Sequence, residues 1–405
     1  MKVLRVLDLE GTSNVEDQDV KEIVDVLDSL KFLSLRGCRK IFNLPDSLGK
    51  LRQLQTLDIR GTCVVKLPNS IVKLRKLQYI RAGTARWDWN GTDHSLSSAP
   101  LQPKGGFVEL PTPSPAVMLP TPACPLVSVV CSNSHLSRVF LGTRNRGVKD
   151  PAGIENLTAL QTIGVVNVNA AGGKANLEKL KALTQLRKFQ VSGINRANSI
   201  HLSSASQLEC LSLHPQKDNQ ALHMDGVQLP PNLRNLKLYG HVEKLPGSIK
   251  DLHNLMKLSL KLITSNQADI EVIGKLPKLH TLRIQVSEVE DAELKFRSRI
   301  DDSDQSSSRV FLNLKVLEIA CTNYPHVTFV NEAMERLEML AIRCNINHSS
   351  LRLYGLKHLA SLHEVILRDS HGNKPMEELQ QQLSKHPLKP ALKLEQHNSS
   401  SLPHW

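Results

Sequence analysis

Aromatic side chains are scarce in this 405-residue chain: three Trp, four Tyr and eight Phe make up 4% of it. So few rings cannot furnish the stacking platforms on which proteins hold unpaired bases. A net charge of +12 would otherwise suggest an anionic polymer. The charge is spread along the chain rather than massed in a tail, so the expected partner is an acidic protein surface and not nucleic acid. Long apolar runs are also missing; none approaches the roughly 18 residues that mark a membrane span. The opening "MKVLRVLDLE" is broken by Lys2, Arg5 and Asp8, which is not the uninterrupted apolar stretch of a secretory signal. Cysteines are few, odd in number and scattered (Cys38, Cys63, Cys124, Cys131, Cys210, Cys321 and Cys344), without C-x-x-C spacing. They are expected to be reduced thiols of a cytoplasmic protein, not disulfides or metal ligands. In that setting the N-x-[ST] triplets at Asn90, Asn156, Asn347 and Asn398 are chance sequons.

Catalytic constellations are missing as well. Gly172-Gly173-Lys174 is followed by Ala175 and has Val168 where a phosphate-binding loop needs its first glycine. There is no G-x-S-x-G and no H-E-x-x-H. His358 and His363 lie five apart, which does not put them on one helix face as ligands, and Asp301 and Asp302 imply no pocket. The expectation is a non-enzyme with no cofactor and no metal.

What the chain has instead is leucine at fixed intervals. In "LRGCRKIFNLPDSLGKLRQLQTLDIRGT", Leu35 to Thr62, the closing phrase nearly repeats the opening one. Leu30, Leu33, Leu35 and Cys38 spell L-x-x-L-x-L-x-x-C, the strand signature of a leucine-rich repeat. Leu54, Leu57 and Ile59 copy it, as do Leu4, Leu7 and Leu9 upstream and, more weakly, Leu77, Ile80 and Ala82. The comb continues from Leu160, Leu186, Leu208, Leu233, Leu255, Leu279, Leu314, Leu337 and Leu362, and the unit from Leu337 ends on the signature Asn345. Successive starts are 22 to 26 residues apart, except for 83 between Leu77 and Leu160 and 35 between Leu279 and Leu314.

A second phrase lies between the strands: Leu44-Pro45-Asp46-Ser47-Leu48, Leu67-Pro68-Asn69-Ser70-Ile71 and Leu245-Pro246-Gly247-Ser248-Ile249, with a degraded copy at Pro151, Ile154, Leu157 and Leu160. Proline suits the first turn of a helix and disfavours helix in the residue before it, and Ser is a good early-turn or capping residue. A short helix or 3₁₀ turn is expected after each proline. A single unit cannot bury its leucines alone, so the units must stack and share them. The expected fold class is α/β: a leucine-rich-repeat solenoid, a curved horseshoe with a parallel sheet on the concave side and short helices, 3₁₀ turns and loops on the convex side. Cys38 and Asn345, at the ladder position, are expected to bond to the loop backbone of a neighbouring turn.

Four parts are expected along the chain. Residues 1–83 are N-terminal repeats. Residues 84–135 are an irregular insertion, with eight prolines between Pro100 and Pro125 that favour extended chain leaving the solenoid over 88–125. Residues 136–369 resume the repeats, with "DDSDQSSS" at 301–308 as an acidic, Ser-rich loop. Residues 370–405 are a capping helix, signalled from Met376 to Leu383, and a fraying tail. Met1 falls inside the first repeat, so strand 4–9 is expected to be an exposed apolar edge that makes the isolated chain prone to aggregate.

Because side chains alternate along a strand, the residue within each L-x-L and the one after it face solvent on the inner sheet. These positions give a basic stripe, Arg36, Arg60, Arg81, Lys237, Lys261, Arg283, Arg343 and Arg368, with Tyr239 near its middle. The stripe is the expected partner-binding site, held to an acidic protein surface by charge complementarity.

The phrasing of "LRVLDLEGT", "VVKLPNSIVKLRKLQYIRAGT", "IENLTALQTIGVV" and the closing "LSKHPLKPALKL" resembles the leucine-rich-repeat half of grass-type plant coiled-coil, nucleotide-binding, leucine-rich-repeat disease resistance proteins. Extracellular plant receptors instead use L-x-G-x-I-P repeats. The resemblance implies an intracellular immune receptor whose repeats bind a pathogen effector or a guarded host protein and fold back on the nucleotide-binding domain. The coiled coil and nucleotide-binding domain are not in this sequence, so nucleotide binding is not carried over. The alternative is a free-standing repeat scaffold for intracellular signalling.

Overall fold

A computed structural model describes residues 3–83, 148–149, 151–168, 179–180, 182–195, 202, 205–215, 221–265, 267–289, 293–297, 299–301, 307–321, 326–330, 333–344, 352–368 and 374–395. The Pro-rich segment and Asn345 lie outside these residues.

Each leucine phrase folds as a strand. The first four are β1 (Val6–Asp8), β2 (Phe32–Ser34), β3 (Thr56–Asp58) and β4 (Tyr79–Arg81). Beyond the Pro-rich segment come β5 (Thr162–Asn167), β6 (Lys188–Ile194), β7 (Cys210–Pro215), the short β8 (Ala221–Leu222), β9 (Asn235–Val242), β10 (Lys257–Ser265) and β11 (Thr281–Val289). Three further strands, β12 (Glu293–Phe296), β13 (Arg299–Asp301) and β14 (Ser307–Arg309), precede β15 (Val316–Cys321). The series ends with β16 (His326–Phe329), β17 (Met339–Cys344), β18 (Arg352–Tyr354), β19 (Glu364–Arg368) and β20 (Ala391–Glu395).

One parallel sheet runs β1-β2-β3-β4-β5-β6-β7-β9-β10-β11-β15-β17-β19-β20, with β8 paired to β9. Its register explains the period. The middle anchors form a single file, Leu7, Leu33, Leu57, Ile80, Ile163, Phe189, Leu211, Leu236, Leu258, Leu282, Leu317, Leu340, Val365 and Leu392. The twelve interior members are buried, whereas Leu7 and Leu392, at the two ends, are partly covered. Each turn thus completes the burial of the one before it, as a repeat array requires. At the first strand Val3 and Val6 are 79% and 60% exposed.

The opposite side carries the Pro phrases. Pro45, Pro68 and Pro246, extended at φ near −65 to −70°, precede 3₁₀ turns over Asp46–Lys50, Asn69–Lys73 and Gly247–Asp251. The serine does not cap these turns; the Ser248 hydroxyl instead donates to the Val227 carbonyl on the preceding turn, at 3.2 Å. The degraded copy forms a turn at Ile154–Asn156. Among the described residues three longer helices share this side: α1 (Asp17–Val26), closed by a Glu16/Asp19 capping box, α2 (Gln267–Gly274) and α3 (Lys374–Ser384). Helix α3 covers the stretch from Met376 to Leu383 where a helix is expected, and buries Leu379 and Leu383. Cys38 takes its ladder role, its thiol donating to the Leu9 carbonyl at 3.1 Å.

Three elements differ from expectation. The stretch after α3 does not fray at once: Ala391–Glu395 joins the sheet as its last strand, paired in register with β19. The flanks of "DDSDQSSS" form an antiparallel pair, Asp301 opposite Ser307. A second parallel sheet, β12-β16-β18, packs Phe296 on Phe329 with ring centroids 5.5 Å apart. At β5 the pattern slips by one residue. A Cβ on Gly164 would lie 2.3 Å from the Ala82 nitrogen, so only glycine fits, and the register shifts between Ile163 and Val165.

Candidate functional site

The nine stripe residues all fall on the inner sheet, on strands or in the turns directly after them. Register places Ser34, Asp58 and Arg81 abreast. Farther along, Ser212, Lys237, Ser259, Arg283, Glu318, Ala341, Ile366 and Lys393 form one row. The next row is Lys261, Gln285, Ala320, Arg343, Arg368 and Glu395. The stripe therefore divides into three groups along the solenoid axis.

In the N-terminal group the arginines face carboxylates. Arg36 Nη1 lies 2.9 Å from Glu10. Arg60 donates from Nε to Asp58 Oδ1 at 2.9 Å and from Nη2 to Oδ2 at 2.5 Å, a two-pronged pair. Arg81 approaches the same carboxylate at 3.6 Å. The Asp58 side chain is only 4% exposed, so its charge is screened by arginines rather than by water. Its hydrogen bonds hold the Arg60 guanidinium charged more firmly than usual.

The C-terminal group repeats this design around Glu318, whose side chain is 5% exposed. Arg283 Nε sits 2.9 Å from it, and Arg368 binds it from the other side while reaching Glu395 at 2.8 Å. Ala341 stands between Glu318 and β19, and its small side chain leaves the carboxylate within reach of Arg368. Arg343 lies beside Arg368 in the next row, half-buried.

The central group is different. Lys237 and Lys261 are half-buried, and Lys188 and Lys257 stand exposed at the start of β6 and β10. Among the described residues, no carboxylate lies within ion-pair distance of any of the four. Burial lowers the Lys237 pKa, and Lys188, Arg283 and Lys257 lower it further by repulsion. Burial also lowers that of Lys261. Beside them His214 stacks on Tyr239, centroids 4.3 Å apart and planes 12° from parallel. Burial, with Lys237 nearby, lowers His214 to about 3, and burial raises Tyr239 to about 12. Both rings are neutral at physiological pH, so the positive charge here is carried by lysine and by Arg283 at the edge.

Lys188 and Lys257 were not among the expected site residues. The two-position frame omitted the residue just before the middle anchor, although the two-residue period of a strand puts it on the same face. Cys210, in register between Lys188 and Asn235, lies in the same field; its thiol is free, and burial raises its pKa. Among the described residues no group of three or more His, Cys, Asp and Glu could hold a metal, and no helix is long and apolar enough to cross a membrane.

The sequence profile of a family described as "Leucine-rich repeat region" matches residues 1–94 and 124–392. The rice (Oryza sativa subsp. japonica) disease resistance protein Pik-2 is 25% identical over 384 residues, which is 91% of this chain and 35% of that protein. The rice disease resistance protein RGA4 is 24% identical over 397 residues, 97% of this chain and 33% of that protein. The chain thus spans about a third of the length of the curated relatives it matches. Among solved structures, a Listeria monocytogenes internalin is 13% identical, covering 98% of this chain and 87% of that one at a TM-score of 0.48.

Proposed function

Because the chain belongs to the leucine-rich repeat region family, homologous to the repeat region of rice disease resistance proteins, we propose that it is the protein-recognition and regulatory module of a cytoplasmic plant immune receptor. Its inner face holds an acidic surface of a pathogen effector, a guarded host protein or the receptor's own nucleotide-binding domain. The residues of that face are the stripe from Arg36 to Arg368, with Tyr239 at its centre. The observation carrying this reading is the unbroken file of anchors over fourteen strands. It commits one side of each strand in the file to the shared interior and leaves the other side to cross-strand ion pairs, solubility and recognition.

The experiment is an edit of the endogenous gene. Plants carrying Lys237→Glu with Lys261→Glu are expected to lose resistance to a matched pathogen or to show uninvited defence, at unchanged protein abundance. An unaltered response to infection across a pathogen panel would refute the defence role.

A further inference from the structure

Among the described residues the inner face holds two buried carboxylates, Asp58 and Glu318, and both stand in the flanking groups. Arg36, Arg60, Arg81, Arg283 and Arg368 lie within 4 Å of a carboxylate supplied by their own or another turn. The four central lysines have none among the described residues, and Lys188 and Lys257 stand close enough to Lys237 to repel it. Like charges held together on a sheet face are unfavourable unless something neutralises them. We infer that the field formed by Lys188, Lys237, Lys257 and Lys261 is the seat of an acidic, extended segment of the partner protein.

The dimensions fit such a segment. From β6 to β10 the field crosses three strand spacings, about 14 Å at about 4.8 Å each. An extended chain covers that distance in about four or five residues. Successive carboxylates laid across the strands would meet Lys188, Lys237 and then Lys257 or Lys261, beside the partly exposed Tyr239 ring stacked on the buried His214. Lysines suit this use. A flexible ammonium accepts a carboxylate from many directions, whereas the guanidinium of Arg60 is already committed in a planar fork. The inference rests on the recognition reading above for its premise that a protein binds the inner face, and adds where and by what chemistry.

The test uses the full chain carried as a fusion with a neutral soluble tag, and a fluorescein-labelled octaglutamate peptide read by anisotropy. Octaglutamine is the uncharged control, and oligouridylate and phosphatidylserine vesicles are the competing polyanions. Lys237→Met with Lys261→Met is expected to weaken octaglutamate binding at least about tenfold, while the outer-side pair Lys73→Met with Lys250→Met changes it less than about twofold. Alkylation of Cys210, followed by peptide mass spectrometry, is expected to slow when octaglutamate is bound. Equal losses in the two double variants, an unprotected Cys210, or oligouridylate or vesicles displacing octaglutamate from the central lysines would each overturn the assignment. Should a native partner dock on the inner face while octaglutamate ignores Lys237 and Lys261, the acidic seat falls and the recognition reading survives. Should octaglutamate dock there while edited plants respond normally to infection, the opposite holds.

Discussion

The centre of the inner sheet and its two flanks are built from the same repeat, yet they treat charge in opposite ways. On the flanks an acidic residue inside the L-x-L, Asp58 or Glu318, is buried under arginines from neighbouring strands. In the centre the corresponding positions hold Ser212, Lys237 and Ser259, and the basic residues around them repel one another. A stripe that looks uniform in sequence is therefore two different surfaces. On the flanks the buried carboxylates are met by arginines of their own and neighbouring strands, which stiffens the sheet. The centre is left with an electrostatic demand that a partner can meet.

The comparison breaks most visibly at Glu318. Glu318→Ala leaves Arg283 and Arg368 confronting each other over a buried gap. It is expected to cost about 3 kcal/mol, felt as faster amide exchange in β11, β15, β17 and β19 rather than along the whole array. The same substitution should turn the C-terminal flank into a second acceptor for octaglutamate. An unchanged exchange pattern would show that Glu318 is not the keystone of that group. Asp58→Asn is expected to cost less, about 2 kcal/mol, because Arg60 and Arg81 are partly exposed and recover water. The readout is thermal or denaturant unfolding of the N-terminal repeats, and a gain in stability would contradict the role given to the carboxylate.

The centre should respond with the opposite sign. Lys237→Met is expected to stabilise the fold by about 0.5 kcal/mol while weakening acidic binding. The Lys237 pKa is lowered in the folded state, so the charged form carries a penalty below that lowered value, and the penalty disappears as pH rises through it. The advantage of the variant should therefore be full on the acid side of that lowered value and shrink as pH rises from it toward the ordinary lysine value; an advantage that grows with pH would be inconsistent. The smallest expected effect is none at all. His214 near 3 and Tyr239 near 12 do not titrate between pH 5 and 8. Burial raises the Cys210 thiol further from ionisation, and His241 is lowered by burial and by Lys261. Octaglutamate affinity should be flat from about pH 6.5, above the titration of the peptide's own carboxylates, to about pH 8, and a step inside that window would mean that a histidine carries the site.

Much of the fold was legible because the leucine comb states its own register. Once strands recur every 22 to 26 residues and must share anchors, parallel stacking follows, and each comb start from Leu160 to Leu362 leads into a strand. What escaped depends on spacing that the comb does not state. The bulge at Gly164 comes from backbone contact with Ala82, and glycine alone does not announce it. The sheet β12-β16-β18 lies in stretches between anchors, where short alternating runs have no leucine signature. Strand β20, "ALKLE", follows two prolines and looks like the end of the chain. The candidate site was half legible. Period-two alternation put all nine stripe residues on the inner face. It could not show that Arg368 reaches Glu318, fifty residues away in sequence, because that contact skips a strand and needs the small Ala341 between.

The most direct measurement is a lysine acetylation footprint of the chain in plant extract at native abundance, compared with the purified chain. The account predicts that Lys188, Lys237, Lys257 and Lys261 lose reactivity in the extract while the outer-side Lys73 and Lys250 keep theirs. Protection of Lys73 and Lys250, with the four inner lysines as reactive as in the purified chain, would contradict it.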